Sequence, residues 1–197
     1  MSIIQNTKFL FILMTFFCSE SQILAVDGTS FHLAAGGAGV FYIRQDYGES
    51  TFSQFAPEAV VYGYLPIFHH FWFRPGFRIN YSWLQPDMPQ AFQIKETDLR
   101  YMLETGLVFD WVILPSLTYA FGYTYRNTTL VTNYPIVSVN DSVSGSENIF
   151  YSHLQLGIGF PIMSGFIVIE PFGRFVMVQN DYRFKWAYGL ETTFQIF

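Results

Sequence analysis

Charge is scarce in this chain. Asp, Glu, Lys and Arg make up 13% of its 197 residues, about half the share of an ordinary soluble domain. A fold this small has too much surface to cover with so few charges, so much of that surface is expected to face something other than water. Basic residues are fewest: 10 Lys and Arg against 15 Asp and Glu, a net charge of −5. That excludes the basic face a nucleic acid requires. Cysteine is nearly absent, with Cys18 alone, so no disulfide framework is available. No apolar run reaches the ~18 residues of a membrane-spanning helix. If the chain spans a membrane, a closed β-barrel is the remaining solution. Clustered Cys/His spacings and a phosphate-binding loop are also missing. The GGAG of Gly36–Gly39 is followed by no helical pattern, so no metal or cofactor is expected.

Aromatic residues are abundant, at 20% of the chain with 23 Phe and 13 Tyr. The N-terminal stretch Met1–Ala25 reads as a secretory signal peptide. Lys8 supplies the positive region, Phe9–Cys18 the apolar core, and Ser21 and Ala25 the small residues of a cleavage site. Phe17 stands where a small residue would precede an acylated Cys, which argues against a lipoprotein. Residues 26–197 form the remaining domain.

That domain is organised around Asp98–Val112, DLRYMLETGLVFDWV. Alternate residues form two sets: Asp98, Arg100, Met102, Glu104, Gly106, Val108 and Asp110, and Leu99, Tyr101, Leu103, Thr105, Leu107, Phe109 and Trp111. Every charge lies in the first set. A period of two is the mark of a β-strand, and this one exceeds the usual 5–6 residues and reaches the ~9–11 of a transmembrane strand. Seven further strands are expected, at Phe31–Arg44, Glu58–Leu65, Trp72–Trp83, Leu117–Arg126, Phe150–Phe160, Phe166–Val178 and Tyr182–Phe197. The connections alternate. Short turns near Pro66–His70, Leu114–Ser116 and Met163–Gly165 contrast with longer polar segments at Asp46–Pro57, Leu84–Lys95 and Thr129–Asn148. Pro75 and Pro171 fall inside strands and are expected to mark bulges or strand ends, with a parity change in the seventh strand.

The apolar faces of the third to sixth and eighth strands carry no charge. The opposite faces collect Arg74, Arg78, Arg100, Arg174 and Lys185 with Asp98, Glu104, Asp110, Glu170 and Glu191. In a soluble barrel the apolar set would fill the interior, crowding many rings into a narrow lumen. The inverted arrangement, apolar outside and polar inside, accommodates both sets. The fold class is therefore all-β: an eight-stranded antiparallel up-and-down transmembrane β-barrel. Its lumen is expected to be closed by a salt-bridge network among those ten charges. Trp72, Phe73 and Trp111 at one end and Trp83, Tyr125 and Trp186 at the other are expected to form aromatic girdles.

With this signal peptide, eight amphipathic strands and an aromatic C-terminal strand, the chain resembles the small outer-membrane barrels typified by the transmembrane domain of outer membrane protein A. The resemblance covers Phe31–Phe197 and is one of architecture. It implies the outer membrane of a Gram-negative bacterium, contact with outer-membrane lipids and lipopolysaccharide, and a terminal Phe197 read by the barrel-assembly machinery. Hydrophobic parity in the last strand departs from the family's pattern, because Phe194 and Ile196 fall on the outward set. The function expected is non-enzymatic, structural or interactive through the external loops, with a ligand contact at residues 129–148. Two alternatives remain open. One is a narrow pore through the Gly-rich parts of the first and sixth strands. The other is a membrane-embedded lipid A-modifying enzyme. Against the enzyme, adjacent Ser152 and His153 point to opposite faces of a strand and form no dyad.

Overall fold

A computed structural model describes residues 31–45, 51–68, 70–84, 92–133, 140–178 and 184–196. The expected signal peptide, Met1–Ala25, and Phe197 lie outside the described residues. Eight strands follow in chain order: β1 (His32–Gln45), β2 (Thr51–Phe68), β3 (Phe71–Leu84), β4 (Phe92–Phe109), β5 (Leu114–Asn133), β6 (Asn140–Ile162), β7 (Ile167–Val178) and β8 (Phe184–Gln195). Each pairs antiparallel with its sequence neighbours, and β8 returns to β1 to close the ring. The seam runs from Ala34↔Gln195 to Arg44↔Phe184, and a backbone bond from Ile196 N to Leu33 O at 2.6 Å extends it. The ring leaves no open edge between the strands.

Alternation sends the two residue sets to opposite sides of the wall. Among the largest fully buried side chains are Arg74, Arg78, Arg100 and Arg174, whereas Leu103 is 56% and Leu156 64% exposed. The core of a water-soluble fold is thus turned inside out. On β4 the outward apolar run spans the ten residue steps from Leu99 to Phe109. At about 3.4 Å per residue and a tilt near 40°, it covers about 25 Å, the height of the apolar band on a transmembrane barrel.

The strands are longer than expected at the end opposite the chain termini. The segment anticipated as a polar loop at 129–148 is mostly hairpin: β5 and β6 stay paired from Thr129↔Ser144 to Asn133↔Asn140. Likewise β2 begins at Thr51 and β4 at Phe92. From Ser144 to Asn148 consecutive residues are all exposed, so both faces of β6 meet water there and alternation of hydrophobicity ceases although the strand continues. What persists is β-branching (Thr128, Thr129, Val131, Thr132, Val143), which favours the extended backbone.

The two interior prolines also differ from expectation. Pro75 pairs with Thr105 and Pro171 with Leu190. On the other side of each, the ladder is interrupted without a change of register. Pairing lapses between Tyr62↔Gly76 and Leu65↔Phe73 beside Pro75, and between Gly157↔Phe172 and Phe160↔Ile169 beside Pro171. Each proline therefore forgoes hydrogen bonds toward one neighbour only, with no bulge. Parity in β7 does not shift: Glu170, Phe172, Arg174 and Val176 all face inward.

Candidate functional site in the barrel lumen

The inward side chains form layers. Toward the end carrying the termini lies an apolar cluster of Ala34, Val60, Tyr62, Tyr64, Trp72, Val108, Leu114 and Val168. Charges occupy the middle. A second apolar cluster, with Val40, Tyr42, Met102, Ala120, Tyr151 and Val176, follows above them. Beyond it, nearer the long hairpins, sit Asp98, Arg100 and Arg126.

The middle layer is built from side chains that cross the lumen. Arg74 on β3 reaches Glu170 on β7, its opposite strand in the ring, with Nη1 donating to Oε2 at 2.9 Å. Its Nη2 donates to Thr118 Oγ1 at 2.7 Å, and its guanidinium lies 4.5 Å from the Tyr62 ring centre. Glu170 Oε1 also accepts from Ser116 Oγ at 2.7 Å and Gln155 Nε2 at 3.3 Å. Arg78 is the hub. Its Nε donates to Glu104 Oε2 at 2.8 Å and its Nη2 to Glu191 Oε2 at 2.8 Å, and it also donates to Glu58 and the Tyr62 hydroxyl. Arg174 from β7 holds Glu58 of β2 through two bonds, Nη1 to Oε1 at 2.7 Å and Nη2 to Oε2 at 2.8 Å. Such two-pronged guanidinium–carboxylate pairs are among the stronger charge-assisted contacts. In the outer layer Asp98 accepts from Arg100 Nη2 at 2.8 Å and Arg126 Nε at 2.9 Å. Arg100 is flanked by the rings of Tyr42 and Tyr151, at 4.8 and 5.0 Å. The two tyrosine hydroxyls meet at 3.3 Å, joining β1 to β6.

Glycines make room for these groups. A methyl at Gly157 would stand 2.7 Å from the Glu170 carboxyl carbon and 2.7 Å from Ser116 Oγ, and one at Gly76 would stand 2.5 Å from the Tyr62 ring. Side chains at either place would push the carboxylate or the ring out of the network.

Of the ten charges expected in the lumen, eight share this network: Arg74, Arg78, Arg100, Arg174, Asp98, Glu104, Glu170 and Glu191 are buried. The Lys185 side chain lies outside the described residues. Asp110 is buried apart from the rest, just past β4, where its backbone N–H donates to His70 O at 2.8 Å. Burial pushes its carboxyl above the usual carboxylate range, against the lowering influence of the Trp72 indole donor and nearby His70. Trp72 corrects an expectation. It is 3% exposed and points into the lumen beside His32, ring centres 5.6 Å apart, not outward into a girdle. Its parity with Arg74 dictates this. Trp83, Trp111, Tyr125 and Trp186 are exposed on the outer wall, and Phe73 faces out half-buried.

Two charged members were absent from the expected set, Glu58 and Arg126. Both were legible by parity. Glu58 alternates with Tyr62 and Tyr64 in the weakly patterned β2, and Arg126 follows Ala120 and Thr124 on β5. With them, the lumen network pairs five arginines with five carboxylates, Asp110 aside. Among the described residues no group of three His, Cys, Asp or Glu converges on a metal-sized site. The His153 ring nitrogens have no hydrogen-bond partner there, so Ser152 is not one.

No protein-family model and no curated protein sequence matches the chain. Solved structures do resemble it. A major outer membrane protein from Thermus thermophilus superposes with a TM-score of 0.55 at 10% identity, over 85% of this chain and 100% of that one. Ail, the attachment invasion locus protein of Yersinia pestis, superposes with a TM-score of 0.51 at 11% identity, over 84% of this chain and 97% of that one. At these identities the likeness is one of fold: the chain has the fold of the small eight-stranded outer-membrane β-barrels.

Proposed function

We propose that this chain is a non-enzymatic integral protein of a bacterial outer membrane, with its lumen closed by the salt-bridge network and its contacts made through the strand ends and loops beyond the membrane. The observation that carries the reading is the inverted barrel. An apolar belt about 25 Å tall surrounds a lumen crossed by Arg74–Glu170 and Arg174–Glu58. A water-soluble barrel would expose Leu103, Leu107, Leu156 and Ile158 to solvent while burying five arginines, unfavourable on both counts. Outer-membrane lipids and lipopolysaccharide are the surroundings this belt suits, and the barrel-assembly machinery is the route by which it would be inserted. The upper part of the β5–β6 hairpin, polar on its described side chains from Asn127 to Thr129 and Ser144 to Asn148, is the candidate contact surface.

Closure is favoured over a pore because apolar layers lie on both sides of the charged one. The test has two parts. The outer-membrane fraction is run on SDS gels with and without boiling, and a heat-dependent mobility shift is expected of a closed transmembrane barrel. The purified barrel is then placed in planar bilayers, where no conductance steps are expected across salt and voltage. Protein recovered in the soluble periplasm would overturn the membrane placement, and steady conductance would overturn the closed lumen. Unchanged lipid A by mass spectrometry on deletion and overexpression is expected of a non-enzymatic barrel.

A further inference from the structure

Most polar atoms in the lumen have a protein partner, and the exceptions are gathered on one wall. Among the described residues, the unpartnered buried atoms are Arg74 Nε, Ser82 Oγ, Arg100 Nε, Glu104 Oε1, Thr124 Oγ1 and both ring nitrogens of His153. The only others are His32 Nε2 and Gln195 Nε2, near the end that carries the termini. The first group sits on β3 to β6. His153 is the extreme case. Its side chain is completely buried, and a neutral imidazole there leaves one donor and one acceptor unmet. Glu104 is the second. Its Oε2 is held by Arg78, but Oε1 has only Arg74 Nη2, at 3.8 Å.

Strand register places these two groups on one row. Glu104 pairs with Ala120, and Ala120 pairs with His153. With strands about 4.8 Å apart, the row is about 10 Å across from Glu104 to His153. Between them stands a single methyl group. The next inward position on β5 toward the outer layer is Gly122, flanked by Met102 and Tyr151. At Ala120 the β5 wall therefore presents no more than a methyl group, where both neighbouring strands carry hydrogen-bonding atoms with nothing to bond.

We propose that the space over Ala120, bounded by Glu104 Oε1 and the His153 ring, is a binding site for buried water. The surrounding charges select this class of ligand. The guanidiniums of Arg174, Arg78 and Arg100 all act electrostatically on His153, which disfavours a cation. A carboxylate oxygen forms the opposite boundary, which disfavours an anion. A small neutral molecule that both donates and accepts satisfies both sides: it donates to Glu104 Oε1 and exchanges a hydrogen bond with the imidazole. Buried waters typically make about three such bonds and stay with the fold. The inference rests on the inward facing of the polar set and not on membrane placement.

The test uses the full barrel folded in lipid vesicles. His153→Leu keeps the volume and deletes both nitrogens. If the site is dry, the variant relieves two unmet polar atoms and its urea midpoint rises. If the site holds water, the variant strips that water of a partner and the midpoint falls, which is the expected result. Hydroxyl-radical footprinting of the unmodified barrel gives a second reading, because radicals formed from ordered water oxidise side chains that bulk solvent does not reach. Oxidation of Met102 and Tyr151, each 1% exposed, is expected alongside that of Met163, 72% exposed. A raised midpoint, or oxidised Met163 with Met102 and Tyr151 untouched, would overturn the proposal. A variant that does not fold leaves the footprint of the unmodified barrel to decide.

Discussion

Replacing Arg78 with alanine removes the cation on which the middle layer converges. Its partners are left in unequal positions. Glu58 keeps both bonds from Arg174 and one from Asn80 Nδ2 at 2.9 Å. Glu191 keeps only the Tyr62 hydroxyl, at 3.0 Å. Glu104 keeps only Arg74, at 3.8 Å. Two buried carboxylates are thus stranded. Breaking one buried pair costs roughly 3–5 kcal/mol, so Arg78→Ala is expected to lose at least that much at pH 7. The loss has a ceiling, because a stranded carboxylate can take up a proton. For an ordinary carboxyl with a pKa of about 4.3, protonation costs about 3.7 kcal/mol at pH 7 and about 1 kcal/mol at pH 5. The defect should therefore shrink by several kcal/mol between pH 7 and pH 5. In Arg78→Ala carrying Glu104→Gln and Glu191→Gln, most of that pH dependence should vanish. The assay is urea unfolding in lipid vesicles, followed by the gel shift of the unboiled protein at both pH values. An Arg78→Ala barrel that unfolds like the unmodified one at pH 7 would refute the packed, ion-paired lumen. So would a loss of equal size at both pH values, because it would mean that the stranded carboxylates are already hydrated by bulk solvent.

The outer wall and the turns supply further tests by the same unfolding measurement. Leu103→Arg places a charge four residue steps below Leu99, near the middle of the apolar band, and should cost about 2–4 kcal/mol. Tyr125→Arg at the rim should cost about 0–1 kcal/mol, and equal costs would contradict the depth assigned to the belt. Gly157→Val drives a side chain into Glu170 and Ser116 and should cost about 1–3 kcal/mol by overpacking alone. Gly173→Val, facing outward with nothing within 4 Å of a new methyl group, should change little. Asp110 predicts a pH effect of definite sign. Its folded pKa is raised by burial, so the folded state holds this proton more tightly than the unfolded chain does. That contribution is full below the ordinary carboxylate pKa and is lost as pH rises through the raised folded value. Asp110→Asn should flatten this part of the stability–pH profile, and an unaltered profile would show that Asp110 is not the group responsible.

Facing was legible in this sequence wherever one side of a strand meets lipid and the other meets packed charge. In β4 the rule holds without exception from Asp98 to Val108. It weakened for three physical reasons. On β6 consecutive residues from Ser144 to Asn148 are exposed on both faces, so that part of the hairpin left no alternation to read. In β2 the inward residues Val60, Tyr62 and Tyr64 are themselves hydrophobic, so Glu58 had no polar company to mark its face. Trp72 shows a third limit. Tryptophan near a strand end favours an interfacial girdle by residue type, but its side is fixed by parity with Arg74, and parity prevails because a strand cannot turn one side chain around without a bulge. Partner choice was the least legible feature. Glu58–Arg174 joins strands more than a hundred positions apart, and nothing in the local pattern of either strand names the other.

Those cross-lumen pairs bear on why a barrel would bury charge when well-packed apolar residues are often as stable. Lipid outside and an apolar lumen inside would leave the two faces of each strand nearly equivalent. A one-residue slip, which exchanges the faces, would then cost little. With Arg74, Arg78, Arg100 and Arg174 on one face, the same slip drives guanidiniums toward lipid and strands carboxylates within. The network also discriminates between ring closures. Arg74–Glu170 and Arg174–Glu58 connect strands that are not neighbours, so they form only when all eight strands are present in the right order and stagger. Neighbour pairing alone would tolerate a missing or extra hairpin. The ion pairs therefore contribute specificity for one register and one strand number, with bulk stability left to the hydrogen-bonded wall and its apolar exterior.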